Sequence, residues 1–135
     1  MSGLVVDASA TLTFLLDDEW DERAESAFEW VDREGGCVPQ HWQYEVRNGL
    51  LVNVRRGRLA RNDAIRRLGS LDRFRWETDG ASDLELTLQL AFEQGLTFYD
   101  ALYLELAIRR EMPLATLDND LQRAAAARGV EIAGA

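Results

Sequence analysis

Leu4-Val5-Val6-Asp7-Ala8-Ser9 is the stretch that decides the fold. Leu4, Val5 and Val6 form an apolar run too short for a helix and rich enough in β-branched residues for a buried strand. Asp7 ends the run. Helical periodicity follows at Ala10–Leu16 and again from about Glu19 to Arg33, where Ala24, Ala27, Phe28 and Val31 share one face. Gly35-Gly36 stops that helix, and Cys37-Val38 is a second short strand closed by Pro39. Outward from there the alternation continues. Helices are expected at Trp42–Arg56, Arg61–Phe74, Leu84–Gln94, Tyr99–Glu111 and Asp120–Arg128. Strands are expected at Arg75–Thr78, Leu114–Leu117 and Val130–Ile132. Short apolar strands alternating with helices indicate βαβ units around a mostly parallel sheet of four to five strands, an α/β fold.

The composition narrows the chemistry. A chain of 135 residues that is 47% hydrophobic and 29% charged builds one ordinary domain, here residues 1–135, with a real core. A single cysteine, Cys37, fits a reducing compartment. No run approaches the ~18 apolar residues of a bilayer span, and the opening stretch holds Asp7 and no basic leader. A cytoplasmic protein without membrane contact is expected. All 15 basic residues are arginine. Without lysine there is no P-loop nucleotide site, and haloacid-dehalogenase-type phosphatases and response-regulator receivers are excluded as well. No Rossmann glycine fingerprint, Cys/His zinc pattern or nucleophile elbow is present.

The acids have a pattern of their own. Ligands of parallel α/β sheets bind at the carboxyl ends of the strands, where strand order reverses. Asp7 follows the first strand and Asp118 follows Leu114–Leu117. If those strands are neighbours, the two carboxylates emerge side by side, about 5 Å apart from strand spacing. Crossover helices begin at the same edge. Asp100 lies in the first turn of the Tyr99–Glu111 helix, and Glu45 in that of the Trp42–Arg56 helix with Asn48 at i+3. Asp120 lies close behind. Each acid has an ordinary reading as an N-cap or a first-turn residue favoured by the helix dipole. Four from four elements at one crevice are harder to explain that way, since two carboxylates ~5 Å apart repel by about 3 kcal/mol at an effective dielectric of 20. A hard divalent cation, Mg²⁺ or Mn²⁺, relieves the repulsion in an all-oxygen site.

Four segments occur in the order found in the PIN domain: V-V-D-A-S at Val5–Ser9, E-V-R-N-G-L at Glu45–Leu50, Y-D-A-L-Y at Tyr99–Tyr103 and A-T-L-D-N-D-L at Ala115–Leu121. Length and spacing resemble the VapC-type toxin ribonucleases of toxin–antitoxin modules over essentially the whole chain. The resemblance implies a three-layer α/β/α sandwich and a Mg²⁺- or Mn²⁺-dependent endoribonuclease that leaves 5′-phosphate and 3′-hydroxyl ends. It makes Asp7, Glu45, Asp100 and Asp118 the catalytic, metal-binding quartet. Ser9 and Thr116 become its supporting hydroxyls, Asn48 the helix asparagine, and Asp120 an outer or alternative ligand. It further implies a homodimer and a small antitoxin whose partly disordered tail folds over the groove and inserts an arginine into the acidic rim.

Charge is unevenly distributed. The net of −9 conceals a segment, residues 47–76, with nine arginines against Asp63 and Asp72. An acidic rim repels RNA, so substrate phosphates need cations, and Arg47, Arg55, Arg56 and Arg58 are the first candidates. A pair of solvated amphipathic helices explains the same segment equally well. Trp20, Trp30, Trp42 and Trp76 read as core or interface rather than base-stacking platforms. His41 and Cys37 carry no assigned role, and the acid run from Asp17 to Glu22 reads as a solvated helix start. Two other functions stay open: a PIN-like domain that binds without turnover, and a small metallophosphatase acting on a nucleotide.

Overall fold

Leu4, Val5 and Val6 are wholly buried because the strand they form, β1 (Leu4–Val6), has a neighbour on each edge and helices above and below. In the computed structural model, which describes residues 3–16 and 20–134, β2 (Gly36–Pro39), β3 (Trp76–Asp79) and β4 (Leu114–Ala115) complete an all-parallel sheet in the order β3-β2-β1-β4. Leu4 pairs with Gly36 on one side and Val5 with Leu114 on the other. The expected strand at Val130–Ile132 reduces to one parallel bridge between Ile132 and Leu114.

The chain steps outward from β1 to β2 to β3, then crosses to β4 on the other side of β1. Right-handed crossovers therefore put the helices of the first half on one face and those of the second half on the other. The first set is α1 (Ala8–Leu15), α2 (Glu22–Glu34), α3 (Trp42–Arg55) and α4 (Arg61–Gly69); the second is α5 (Leu84–Gln94), α6 (Phe98–Arg110) and α7 (Asn119–Ala127). α2 packs on β1 and β4, while α6 packs across β2, β1 and β4 with α5 and α7 against it. This is the expected three-layer sandwich. No helix among the described residues is long and apolar enough to cross a membrane.

Several boundaries differ from expectation for identifiable reasons. The helix expected over Arg61–Phe74 stops at Gly69 and tightens into a 3-10 turn, Ser70–Arg73, which buries Leu71 and Phe74. The strand expected over Leu114–Leu117 stops at Ala115, because the Thr116 hydroxyl takes the Asp118 N–H and starts the turn into α7. α1 begins two residues earlier than the periodicity suggests, with the Asp7 side chain accepting from the Ala10 N–H as its N-cap. The proposed helix start at Glu19, and with it Asp17-Asp18-Glu19, lies outside the described residues.

Two contacts set where α3 stands relative to α1. The Trp42 indole N–H donates to Thr11 Oγ1 at 3.0 Å, and that hydroxyl donates to the Asp7 carbonyl at 2.8 Å. Two helical turns after Trp42, Gly49 faces Leu12, and a Cβ on Gly49 would lie 2.3 Å from Leu12 Cδ1. The mid-helix glycine thus forgoes helix propensity for a close helix crossing. Trp42 is core, Trp30 and Trp76 are half-buried, and Trp20 is exposed.

The outer strand β3 is tied to α6 by charge. Arg109 donates to both oxygens of Asp79 at 2.9 and 3.0 Å and to both oxygens of Glu105, the nearer at 2.6 Å. Arg110 joins Asp79 to Glu77. Glu105 is 0% exposed, so Arg109 neutralises a carboxylate that water cannot reach. Removing one partner of a buried pair typically costs 3–5 kcal/mol. Arg109→Leu is accordingly expected to lose about that much in a denaturant titration. Arg109 also holds the Asp79 carboxyl well below the usual carboxylate range. That stabilisation is complete above the unfolded pKa of roughly 4 and fades as pH falls toward the folded value. The wild-type melting temperature should drop steeply below about pH 4, and the drop should be shallower in Asp79→Asn.

Candidate active site

The reversal of strand order falls between β1 and β4, and a cleft of about 350 Å³ opens there at the carboxyl edge. It is lined by Asp7, Ala8, Ser9, Leu12, Glu45, Asn48, Gly49, Asp100, Tyr103 and Asp118. Each of the four acids comes from a different element. Asp7 caps α1, Glu45 sits in the first turn of α3, Asp100 in that of α6, and Asp118 caps α7. The ordinary roles and the shared location coexist: the Asp118 carboxylate accepts from the Leu121 N–H at 2.9 Å, and the Thr97 hydroxyl caps α6 through the Asp100 N–H.

Asp7 is the most constrained. It is 3% exposed, and its carboxylate accepts from the Ala10 N–H at 2.9 Å, from the Ser9 hydroxyl at 2.7 Å and from the Thr116 hydroxyl. Ser9 in turn accepts the Leu117 N–H at 3.0 Å, and Thr116 accepts that of Asp118. The two hydroxyls therefore fasten Asp7 to the loop that carries Asp118. Despite these donors, burial pushes the Asp7 carboxyl up to about 6, with the nearby Asp100 adding to the rise. The Asp100 carboxyl is also raised, by burial first and then by Asp118 and Glu45. Among the described residues, no arginine lines the cleft.

The expectation that Asp7 and Asp118 stand side by side needs correcting. Register puts Val6 opposite Ala115, so the residue beside Asp7 is Thr116, and Asp118 enters from the turn beyond. As they stand, no three His, Cys, Asp or Glu side chains among the described residues are gathered tightly enough to ligate one ion. Asp120 does not line the cleft; it is exposed and pairs with Arg123 at 2.8 Å. Arg47, Arg55, Arg56 and Arg58 are exposed and lie off the cleft lining too. Arg47 and Arg55 instead border a separate apolar groove between α3 and α4, with Leu50, Leu51, Val54 and Ile65.

Two residues around Glu45, Tyr103 in the cleft lining and His41 beside it, had no role in the sequence reading. The Tyr103 hydroxyl donates to Glu45 Oε1 at 2.6 Å, and His41 Nε2 lies 3.4 Å from the same oxygen. Burial lowers the pKa of His41, leaving it neutral near pH 7. Helical spacing held the signal, since Tyr103 is i+3 from Asp100 and His41 is four residues before Glu45.

Comparison with known proteins agrees with this geometry. Residues 4–127 match the family model of the PIN domain. The chain is 35% identical over 125 residues to Ribonuclease VapC3 of Pyrobaculum aerophilum, covering 87% of this chain and 91% of that protein. The crystal structure of PAE2754 from the same organism superposes with a TM-score of 0.73 at 29% identity, covering 97% of this chain and 83% of that one. A toxin–antitoxin complex from Klebsiella pneumoniae contains the same fold, with a TM-score of 0.59 at 18% identity and coverage of 86% and 87%. Sequence match, strand order and cleft agree: the chain belongs to the PIN-domain family and is a relative of the VapC ribonucleases.

Proposed function

We propose that this protein is the endoribonuclease toxin of a toxin–antitoxin pair, in which Asp7, Glu45, Asp100 and Asp118 hold Mg²⁺ or Mn²⁺. One observation carries the reading: four carboxylates from four elements line a cleft without a balancing arginine, and two of them are pushed upward in pKa. Such a donor set is all oxygen and suits a hard divalent cation. When bound, that cation activates water and takes up charge on phosphoryl oxygens.

The chain's own residues do the rest. Ser9, Thr116 and the Ala10 N–H fix the Asp7 carboxylate, so it needs little reorganisation to act. The half-buried Asp100 and Asp118 face it from the start of α6 and the turn into α7. Asn48, exposed on the cleft wall, is available to bond a phosphate or ribose oxygen. Exposed Arg47, Arg55, Arg56 and Arg58 attract the RNA backbone away from the reacting phosphodiester. The ribonuclease relative supports RNA as substrate.

An antitoxin is the second partner, supported by the toxin–antitoxin complex that shares this fold. Its tail would close over the cleft and set an arginine among the acids. A homodimer is the third element. Leu84, Leu88 and Phe92 recur at i, i+4 and i+8 on α5, and Phe92 is 80% exposed, a face suited to a second copy.

Cleavage of a single-stranded oligoribonucleotide should require Mg²⁺ or Mn²⁺, stop with EDTA and leave 5′-phosphate ends, with no phosphate released from mononucleotides. EDTA-resistant cleavage contradicts the reading. Asp7→Asn should lower the rate at least ~100-fold, as expected when an interaction made in the transition state is lost. The same variant should be more stable without metal. A carboxyl raised to about 6 in the folded state favours folding below its unfolded pKa and loses that benefit as pH climbs through 6. Metal-free Asp7→Asn should therefore melt higher than wild type at pH 8 and about equally at pH 4. In sedimentation velocity the wild type should run at twice the chain mass and Phe92→Glu at the chain mass.

A further inference from the structure

Tyr103 occupies an unusual junction. It lies on α6, one turn after Asp100, and is 1% exposed, yet it lines the acidic cleft. Its hydroxyl donates to Glu45 Oε1 across the gap between α6 and α3 at 2.6 Å. The Ala8 N–H, one of the free amides in the first turn of α1, acts on the same phenol oxygen. The hydroxyl thus sits where α1, α3 and α6 meet. His41 Nε2 approaches Oε1 from the other side at 3.4 Å, and its ring stands 4.7 Å from that of Tyr103. Oε1 of Glu45 is therefore committed to Tyr103 and flanked by His41.

Glu45 is the cleft acid most in need of such support. Asp7 and Asp118 are fixed by backbone amides at helix starts, and Asp100 by a short side chain. Glu45 has one more rotatable bond and is a third exposed. A carboxylate with one oxygen tied presents the other in a narrow range of directions, which lowers the entropy lost when it binds an ion.

We propose that Tyr103 is a positioning residue. Its hydroxyl ties Glu45 Oε1 and presents Oε2 to a divalent cation, so that α6 supplies both a ligand, Asp100, and the group that aims a ligand on α3. The inference rests on the metal reading of the cleft given above.

The test is Mn²⁺ binding by calorimetry to wild type, Tyr103→Phe, Glu45→Gln and the double variant. Outer partners of metal ligands typically contribute 10- to 100-fold in affinity. Tyr103→Phe is expected to bind Mn²⁺ at least ~10-fold more weakly while keeping its circular dichroism spectrum. Excess Mn²⁺ should restore its RNA cleavage rate, and the substitution should add nothing in the Glu45→Gln background. Tyr103→Met, which fills the space without a hydroxyl, replaces the Phe variant if that one misfolds. Wild type that binds no Mn²⁺ overturns the metal reading and this inference with it. Wild type that binds while Tyr103→Phe binds equally tightly, or an equal loss with and without Glu45, overturns the inference alone.

Discussion

The arrangement depends on a carboxylate placed where it is least comfortable. Asp7 ends the central strand of a parallel sheet, is nearly fully buried, and faces other acids instead of a cation. Burial and like charge both favour its neutral form. Three hydrogen-bond donors oppose that tendency without reversing it. Nothing about folding calls for such a residue there, because asparagine or serine would cap α1 as well. Under the proposed metal reading, this cost is a trade of stability for function of the kind common at active sites.

The surrounding packing serves the same end. Trp42 and Thr11 fasten the start of α3 to the start of α1 through the Asp7 carbonyl, so Glu45 and Asp7 share one rigid reference. Gly49 lets the two helices approach closely beside the cleft. On the other face, α6 must deliver Asp100 and Tyr103 to the edge, and its far end is anchored to β3 by the Arg109 and Arg110 pairs. Among the described residues no arginine lines the acidic cleft, while Asp79 pairs with two arginines and Glu105 with one. Arginine was evidently available to the fold, and its exclusion from the cleft is specific to that site.

Much of this was legible in the sequence. A short apolar strand ending in aspartate, and helices whose first turns carry acids, put Asp7, Glu45, Asp100 and Asp118 at one edge by topology alone. What failed was register. No pattern in Leu114–Leu117 says that the strand stops at Ala115, because the stop comes from the Thr116 hydroxyl meeting the Asp118 N–H. The Tyr103 bond to Glu45 spans 58 residues, and the Arg109 bond to Asp79 spans 30. Pairings at that separation depend on helix rotation about the axis, which hydrophobic periodicity gives only coarsely. The basic segment shows the opposite limit: its charge was obvious, but sequence could not show that Arg47 and Arg55 border a different groove from the one the acids line.

On the reading proposed above, the cleft acids form a cation site. Crystals soaked in Mn²⁺ and measured at a wavelength where manganese scatters anomalously test it most directly. An anomalous peak is expected inside the cleft, within about 2.0–2.3 Å of carboxylate oxygens that include Asp7. A fully soaked crystal with no peak there, or with peaks only on surface acids such as Asp120, would contradict it.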